Sequence, residues 1–532
     1  MESTKMIHPG YLPSKNKTLL WKALRLLRII VQGIVLLLFV ILIGWSPVTE
    51  IFFRFNPLTG LGVSIASRSV ITYFWPALII LIFTIIFGRF WCGWLCPMGT
   101  ILDIAGFRKK KRKSPSVSKQ QIFWKTLPFI TKYDDRLRKV KFILLFIIFI
   151  AAIFGNLTVM ILDPLTILVR TLTVSILPGL NHIITAIERY LYDNNILVDI
   201  VDTVDGLLRP GIIPYEQSFF SLSFLIVIFF ICIILLNLIA HRFWCRYLCP
   251  LGALLALFSA ISLFRRTVGL HCKNCSSCEG VCNMGAIDSK AHYRSKPSEC
   301  TLCMDCFSLC PETGYTFSPG KRHESRSSIS LSRRHFIIGL GAGAVGVGLL
   351  YGDATRFYRE ETLLRPPGVI DGELFLSKCI RCGQCMRVCP TSGLQPSLFE
   401  GGIGAVWTPR LIPRLGACDY TCNQCGQVCP TGAIPHLTLE EKQVTPIGKA
   451  MISPGRCLEW SSGADCRICR EFCPLPVKAV EKRQRIENDD AGNPVVRHGP
   501  VIIEERCIGC GICEYLCPVE GEAAIRVVRV SI

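Results

Sequence analysis

Histidine is scarce in this chain: nine among 532 residues, and none within the first four hydrophobic stretches. A haem buried among those stretches would lack its usual protein ligands. No Cys-x-x-Cys is followed by His, which removes covalently attached haem. Nucleotide, flavin and molybdenum-cofactor signatures are missing, as are a helix-turn-helix and an extended N-terminal sensor domain. These gaps argue against a soluble substrate-transforming enzyme and against a redox regulator of transcription. One G-x-G-x-x-G occurs, at Gly341–Gly346, but no second strand or crossover follows it, so it does not read as a dinucleotide site. Acidic residues are few: 39 Asp and Glu against 59 Lys and Arg, a net charge of +20.

Cysteine is abundant. Of 29 cysteines, 24 fall into six ferredoxin-type quartets. Four read C-x2-C-x2-C-x3-C: Cys272, Cys275, Cys278, Cys282; Cys300, Cys303, Cys306, Cys310; Cys379, Cys382, Cys385, Cys389; and Cys507, Cys510, Cys513, Cys517. Two are stretched: Cys418, Cys422, Cys425, Cys429 and Cys457, Cys466, Cys469, Cys473. Three cysteines on a tight loop hold three irons of a cubane, and the fourth reaches across to the partner cluster. Proline follows the fourth cysteine at Pro311, Pro390, Pro430, Pro474 and Pro518, with Asn283 the exception. Structural zinc uses two separated C-x2-C pairs, and a disulfide framework would not repeat one motif six times. The pattern predicts six 4Fe-4S clusters and an electron carrier. An oxidised cubane with four thiolates carries about −2, so six would offset roughly twelve of the positive charges. Most of the remaining basic excess lies beside hydrophobic stretches, and no nucleic-acid partner is expected.

Half the residues are hydrophobic. Five uncharged stretches could span a bilayer: Ile29–Ile43, Val70–Phe87, Phe142–Leu162, Phe219–Ala240 and Phe336–Gly352. Residues 1–28 carry six Lys/Arg against one acid, and residues 108–141 carry thirteen against two, including Lys109–Lys113. The loop 163–217 carries three basic and seven acidic residues. Loop charge therefore puts the first two segments in the cytoplasm and the third outside. The Cys272–Cys310 quartets follow the fourth span, on the cytoplasmic side. Ser332-Arg333-Arg334-His335-Phe336 is close to a twin-arginine export signal. With the fifth stretch retained as a span, the last four quartets face the periplasm of a bacterial inner membrane.

The hydrophobic half is duplicated. Gly88-Arg89-Phe90-Trp91-Cys92-Gly93-Trp94-Leu95-Cys96-Pro97 matches His241-Arg242-Phe243-Trp244-Cys245-Arg246-Tyr247-Leu248-Cys249-Pro250, and Asn56-Pro57-Leu58-Thr59 matches Asp163-Pro164-Leu165-Thr166. Two such hairpins about a pseudo-two-fold axis would gather Cys92, Cys96, Cys245 and Cys249 into a further metal or iron–sulfur centre at the inner surface; packed free thiols are the alternative. Cys232 reads as core. Glu50, Asp163, Asp103 and His241 are candidate proton-handling groups, each also readable as an ordinary interfacial residue.

Residues 18–310, with four spans, two C-x3-C-P motifs and two quartets, resemble NapH, the membrane quinol-dehydrogenase subunit of periplasmic nitrate reductase systems. The C-x3-C-P hairpins also recur in NosR-like and CcoG-like proteins. Residues 330–532 resemble NapG/MauM polyferredoxins, which have a twin-arginine leader and four cluster motifs; the two would be fused here. The resemblance implies quinol oxidation and electron delivery to a periplasmic reductase or other redox protein. A CcoG-like assembly factor that reduces a client's metal is the alternative. The two-cluster rule groups Cys272, Cys275, Cys278 with Cys310, and Cys300, Cys303, Cys306 with Cys282. For the outer four, the polyferredoxin resemblance implies Cys379, Cys382, Cys385 with Cys517; Cys507, Cys510, Cys513 with Cys389; Cys418, Cys422, Cys425 with Cys473; and Cys457, Cys466, Cys469 with Cys429.

The expected architecture is an α-helical membrane domain of two pseudo-repeated helical hairpins plus small α+β ferredoxin-like 4Fe-4S modules. Its parts are a four-span domain over 1–266, a cytoplasmic two-cluster module over 267–320, the twin-arginine motif and fifth span over 321–364, and a periplasmic four-cluster domain over 365–532. Val501–Ile503 and Ala523–Val530 are expected to pair as strands.

Overall fold

A computed structural model describes residues 14–44, 50–69, 74–106, 128–195, 198–209, 217–268, 272, 275–307, 315–319, 339, 341, 343–346, 348, 363–369, 371–488 and 494–529. The twin-arginine motif, the basic run Lys109–Lys113, most of the fifth hydrophobic stretch and Cys310 lie outside them.

Two short helices set the frame of the hydrophobic half. Asn56 caps α2 (Pro57–Ala66) through Leu58 N and Thr59 N, and Asp163 caps α7 (Pro164–Thr171) through Thr166 N. Proline at the first helical turn, where its missing N–H is not needed, starts each one. The caps also meet: Asn56 Nδ2 donates to both carboxylate oxygens of Asp163 at 3.0 Å, and both residues are fully buried. The duplicated sequence thus becomes two matching runs of elements. The first continues with α3 (Trp75–Phe87), α4 (Phe90–Trp94) and α5 (Pro97–Ile104). The second continues with α9 (Ser223–Leu235), a π-helical turn Trp244–Leu248 and α10 (Pro250–Ser259). α1 (Ser14–Gly44) and α6 (Pro128–Ile153) flank them. Two stretches are long and apolar enough to cross a membrane, Lys22–Gly44 and Pro164–Asp193; the apolar helices Pro57–Ala66, Trp75–Phe87, Ser223–Leu238 and Pro250–Ser259 are shorter.

Several expectations are corrected. The acidic "loop" 163–217 is largely helical, with α7 leading through a π turn into α8 (Leu177–Asp193). Six of its seven acids fall at Glu188 or later, and averaging charge over the whole stretch hid an apolar run. Helix α6 stops at Ile153, inside the third hydrophobic stretch, where Gly155 turns at φ 74° and a 3-10 turn Thr158–Leu162 follows. Cys232 is exposed on α9 rather than packed in the core. Asp163 is a buried cap, and Asp103 is clamped by Arg242 at 2.6 Å with His241 at 3.3 Å. Both behave as structural groups.

The cysteine-rich regions cap opposite ends of this bundle. At one end β1 (Phe264–Val268) pairs with β4 (Tyr315–Pro319), and β2 (Ile287–Asp288) with β3 (Arg294–Ser295), all antiparallel. This region meets α1 where Arg28 donates to Cys303 O at 2.8 Å. At the other end Arg387 donates to Gly44 O, the last residue of α1, and Gln395 donates to Phe219 O at 2.8 Å. Arg28 and Gly44 are 16 residues apart, roughly 24 Å along a helix. In the C-terminal region β5 (Leu394–Pro396) pairs with β6 (Pro409–Leu411), β7 (Lys449–Ile452) with β10 (Ile525–Val528), and β8 (Val480–Asn488) with β9 (Pro494–Ile502). Val501–Ile502 and Ile525–Val528 are therefore strands, but each takes another partner, because each closes a different cysteine loop.

Glu299 is the buried joint between the first cysteine-rich region and the bundle. Lys141 Nζ lies 2.6 Å from it, Arg89 3.2 Å and Arg138 3.4 Å. Burial alone would raise its pKa, but Lys141, Arg89 and Arg138 override that and hold it below the usual carboxylate range. A depressed folded pKa gives stability that is present above the unfolded value and is lost as pH falls through the folded one. Glu299→Ala should cost about 3–5 kcal/mol by leaving buried Arg89 and Lys141 uncompensated, while Arg138 keeps its ion pair with Asp134. Thermal unfolding in detergent checks this, and the difference from the parent chain should shrink at acid pH.

Candidate iron–sulfur centres

Cys92, Cys96, Cys245 and Cys249 are brought together in the bundle core, each 8% exposed or less. The thiols of Cys92, Cys96 and Cys245 act on one another, and all three act on Cys249. The same local device delivers both pairs. Cys96 N–H donates to Trp91 O at 2.9 Å and Cys249 N–H to Trp244 O at 2.8 Å, i→i+5 closures that end one turn. Proline then starts the next helix with the cysteine as its cap, and Cys249 Sγ accepts from Gly252 N at 3.2 Å.

Two arginines cross between the repeats. Arg242 Nη1 donates to Cys92 O at 3.1 Å. Arg89 reaches the opposite loop, where a Cβ on Gly252 would lie 2.7 Å from its Nη2. Arg89 is fully buried, and its Nε and Nη2 have no hydrogen-bond partner among the described residues. Orphaned guanidinium donors beside four thiols fit an anionic occupant such as a thiolate-bound cluster.

Cys282, Cys300, Cys303 and Cys306 line one cavity with Arg266, Met284 and Phe317. Ala286 N–H donates to Cys282 Sγ at 3.2 Å, the kind of contact that tunes cluster potential. Asn283, in the place of proline, instead donates to Asp305 at 3.2 Å. Cys272 and Cys278 pack together with Tyr293 and Ile287, while Cys275 is exposed. This cavity adjoins the four buried cysteines: Trp94 Nε1 donates to Leu302 O at 3.0 Å, and Arg242 acts on Cys303.

The outer cysteines lie grouped by neighbouring motifs rather than in the nested pairing implied by resemblance. Cys429, not Cys517, acts on Cys379, Cys382 and Cys385. Cys389, not Cys473, acts on Cys418, Cys422 and Cys425. Cys473 acts on Cys510, and Cys517 lines a cavity with Cys457, Cys466 and Cys469. Backbone contacts cause this. Thr391 Oγ1 donates to Ala417 O at 2.6 Å, delivering Cys389 beside Cys418. A Cβ on Gly393 would lie 1.9 Å from Gly416 O, so the two backbones touch there. Ser453 N–H donates to Ala524 O and Ile503 N–H to Ala479 O, both at 2.8 Å, bringing Cys517 to Cys457 and Cys473 to Cys507. The two pairs are joined where Cys418 N–H donates to Cys510 O at 2.8 Å. The four groups therefore follow one another, from the bundle outward, as those of Cys379, Cys418, Cys507 and Cys457.

Thiolates on one zinc stand about 3.8 Å apart, given Zn–S near 2.3 Å. Among the described residues no three His, Cys, Asp or Glu side chains are grouped to hold a single ion. Thiolates of a cubane belong to four different irons and stand farther apart. Burial pushes the Cys300 thiol up to about 11, and those of Cys418 and Cys469 up to about 12. Loading metal therefore releases protons and is favoured as pH rises.

The comparisons agree with this geometry. A 4Fe-4S binding domain model matches residues 71–115 and 222–271, the two segments holding the C-x3-C-P cysteines. A 4Fe-4S dicluster domain model matches 378–434, and a second 4Fe-4S binding domain model matches 500–521. The chain is 31% identical over 205 residues to the ferredoxin-type protein NapG of Escherichia coli K12, covering 38% of this chain and 87% of that protein. The chain belongs to the NapG/MauM family of ferredoxin-type proteins. It is also 34% identical over 212 residues to the methylamine utilization ferredoxin-type protein MauM of Methylorubrum extorquens, covering 37% and 89%. To YccM of Escherichia coli K12, whose name marks it as a candidate electron transport protein, it is 24% identical over 294 residues, covering 54% and 67%. No solved structure matches. As a NapG/MauM-type protein it is an iron–sulfur electron-transfer protein with several 4Fe-4S domains.

Sequence reasoning missed Arg170, Arg381 and Trp407, which join the NapG/MauM-type region to the bundle. Arg381 donates to Cys379 O, Val406 O, Gly404 O and Thr158 Oγ1 at 2.7–3.1 Å. A signal existed for Arg170 alone: it is the single charge between Leu165 and Leu180. The pairing can be checked by counting iron. Added to a Cys379→Ser, Cys382→Ser, Cys385→Ser chain, Cys429→Ser should remove no further iron, whereas Cys517→Ser should remove another cluster. The reverse outcome restores the nested pairing.

Proposed function

We propose that this chain is a membrane-bound redox protein that oxidises quinol and passes the electrons through six 4Fe-4S clusters, and a further centre at Cys92, Cys96, Cys245 and Cys249, to a periplasmic reductase or other redox protein. The observation that carries the reading is the placement of cysteine groups at both ends of one apolar bundle. The exposed apolar faces of α1 (Ile30, Ile34, Leu37, Leu38) and α9 (Phe224, Leu225, Ile228, Ile231) support burial in lipid. The basic N-terminal segment and the basic segment 108–141 support a cytoplasmic location for the Cys272–Cys306 end.

When bound, each cluster supplies one-electron redox chemistry. The chain's own residues insulate the sites, compensate their charge and connect them. Trp244, next to Cys245, packs edge-on to Phe229 at 6.5 Å between ring centres, Phe229 meets Trp407 at 5.7 Å, and Trp407 lies against Arg170 at 4.0 Å. These contacts give a continuous packed path from the C-x3-C-P group to the Cys382 loop. Quinol oxidation to quinone releases two electrons and two protons, so two one-electron transfers complete one turnover.

A CcoG-like metal-reducing assembly factor is the rival class, favoured by nothing in the geometry beyond the shared C-x3-C-P hairpin. Menaquinol added anaerobically to the purified oxidised chain should bleach its iron–sulfur absorbance and give reduced-cluster EPR signals. Quinol without effect, alongside fast reduction of added Cu(II), would favour the rival. Replacing Cys92, Cys96, Cys245 and Cys249 by Ser should lower bound iron by about four per chain; unchanged iron would leave them as packed thiols.

A further inference from the structure

Arg170 is 1% exposed in the bundle core. Its Nη2 reaches Ile161 O at 3.4 Å, while its Nε and Nη1 are buried with no hydrogen-bond partner among the described residues. Among the described residues no carboxylate acts on it; the ionisable groups that do are Arg381 and Cys382. Its guanidinium lies over Trp407. Its Cα is 3.8 Å from where a Cβ on Gly383 would stand, and Thr173 Oγ1 is 3.5 Å from Cys382 O. Arg170 is thus pressed against the loop that carries Cys382, yet it belongs to the other half of the chain.

A buried guanidinium with unfilled N–H groups needs further hydrogen-bond acceptors, and an anionic acceptor would also compensate its charge. Arg381 needs none, because four oxygens satisfy it. We propose that Arg170 is a positioning residue that hydrogen-bonds and charge-compensates the group held by Cys379, Cys382, Cys385 and Cys429, raising its reduction potential while the C-terminal region is seated on the bundle. The inference rests on the reading that these four cysteines hold a cubane. Reduction adds one negative charge there, and a cation supplied in low dielectric favours the reduced form. Seating and potential are then coupled. The centre nearest the bundle accepts electrons readily when docked, and lifting the region away removes the cation and lowers the potential.

Potentiometric EPR on the purified full chain tests this. The relevant signal is identified as the one lost in Cys382→Ser. Arg170→Gln should shift its reduced-to-oxidised ratio at fixed potential at least tenfold toward oxidised, about 59 mV for a one-electron couple. The signals of the other centres should stay in place. Arg170→Lys keeps the charge but loses the planar fork, and should fall between. An unshifted Arg170→Gln titration overturns the proposal. If that variant lacks the signal, Arg170→Lys decides: a lowered potential supports the proposal and an unshifted one overturns it. A parent chain with no four-iron signal lost in Cys382→Ser would instead overturn the cluster reading itself.

Discussion

Burying thiolates without a compensating cation is prohibitively unfavourable, and that constraint organises the molecule. The cysteine groups in and beside the bundle are met by guanidinium. Arg89 and Arg242 cross beneath the C-x3-C-P loops, Arg266 lines the cavity of Cys300, and Arg381 and Arg170 flank Cys379 and Cys382. The same arginines also hold acids: Asp103 is tied to Arg242, and Glu299 to Arg89 and Lys141. The net positive charge of the chain is therefore an internal matter as much as a surface one.

The same arginines are joints. Arg89 links the bundle to Glu299, Arg28 links α1 to Cys303 O, and Arg381 links the C-terminal region to Thr158. Side chains that balance a redox group also hold the halves together, so electrostatic tuning and assembly cannot be varied separately.

Cysteine spacing made the presence of several 4Fe-4S domains readable, because a cubane dictates a short local rhythm. The repeat was readable too, since Asn56 and Asp163 cap by the same chemistry. The pairing of fourth cysteines was not, because it depends on contacts such as Thr391 to Ala417 and Ser453 to Ala524 that no local pattern encodes. Helix limits within apolar stretches were also hidden. A single Gly155 turn ends α6, and Arg170 inside an apolar run looks like a defect until Cys382 is brought beside it.

Grouping consecutive motifs has a consequence for how the chain is made. With clusters held as proposed, the Cys379–Cys429 groups have all their thiols before Cys457 leaves the ribosome, so the first pair of sites could mature while the second is still being synthesised. A nested arrangement would keep thiols from the earliest motif waiting for the final residues of the polypeptide. Vectorial completion shortens the interval in which oxygen could reach unprotected sulfur.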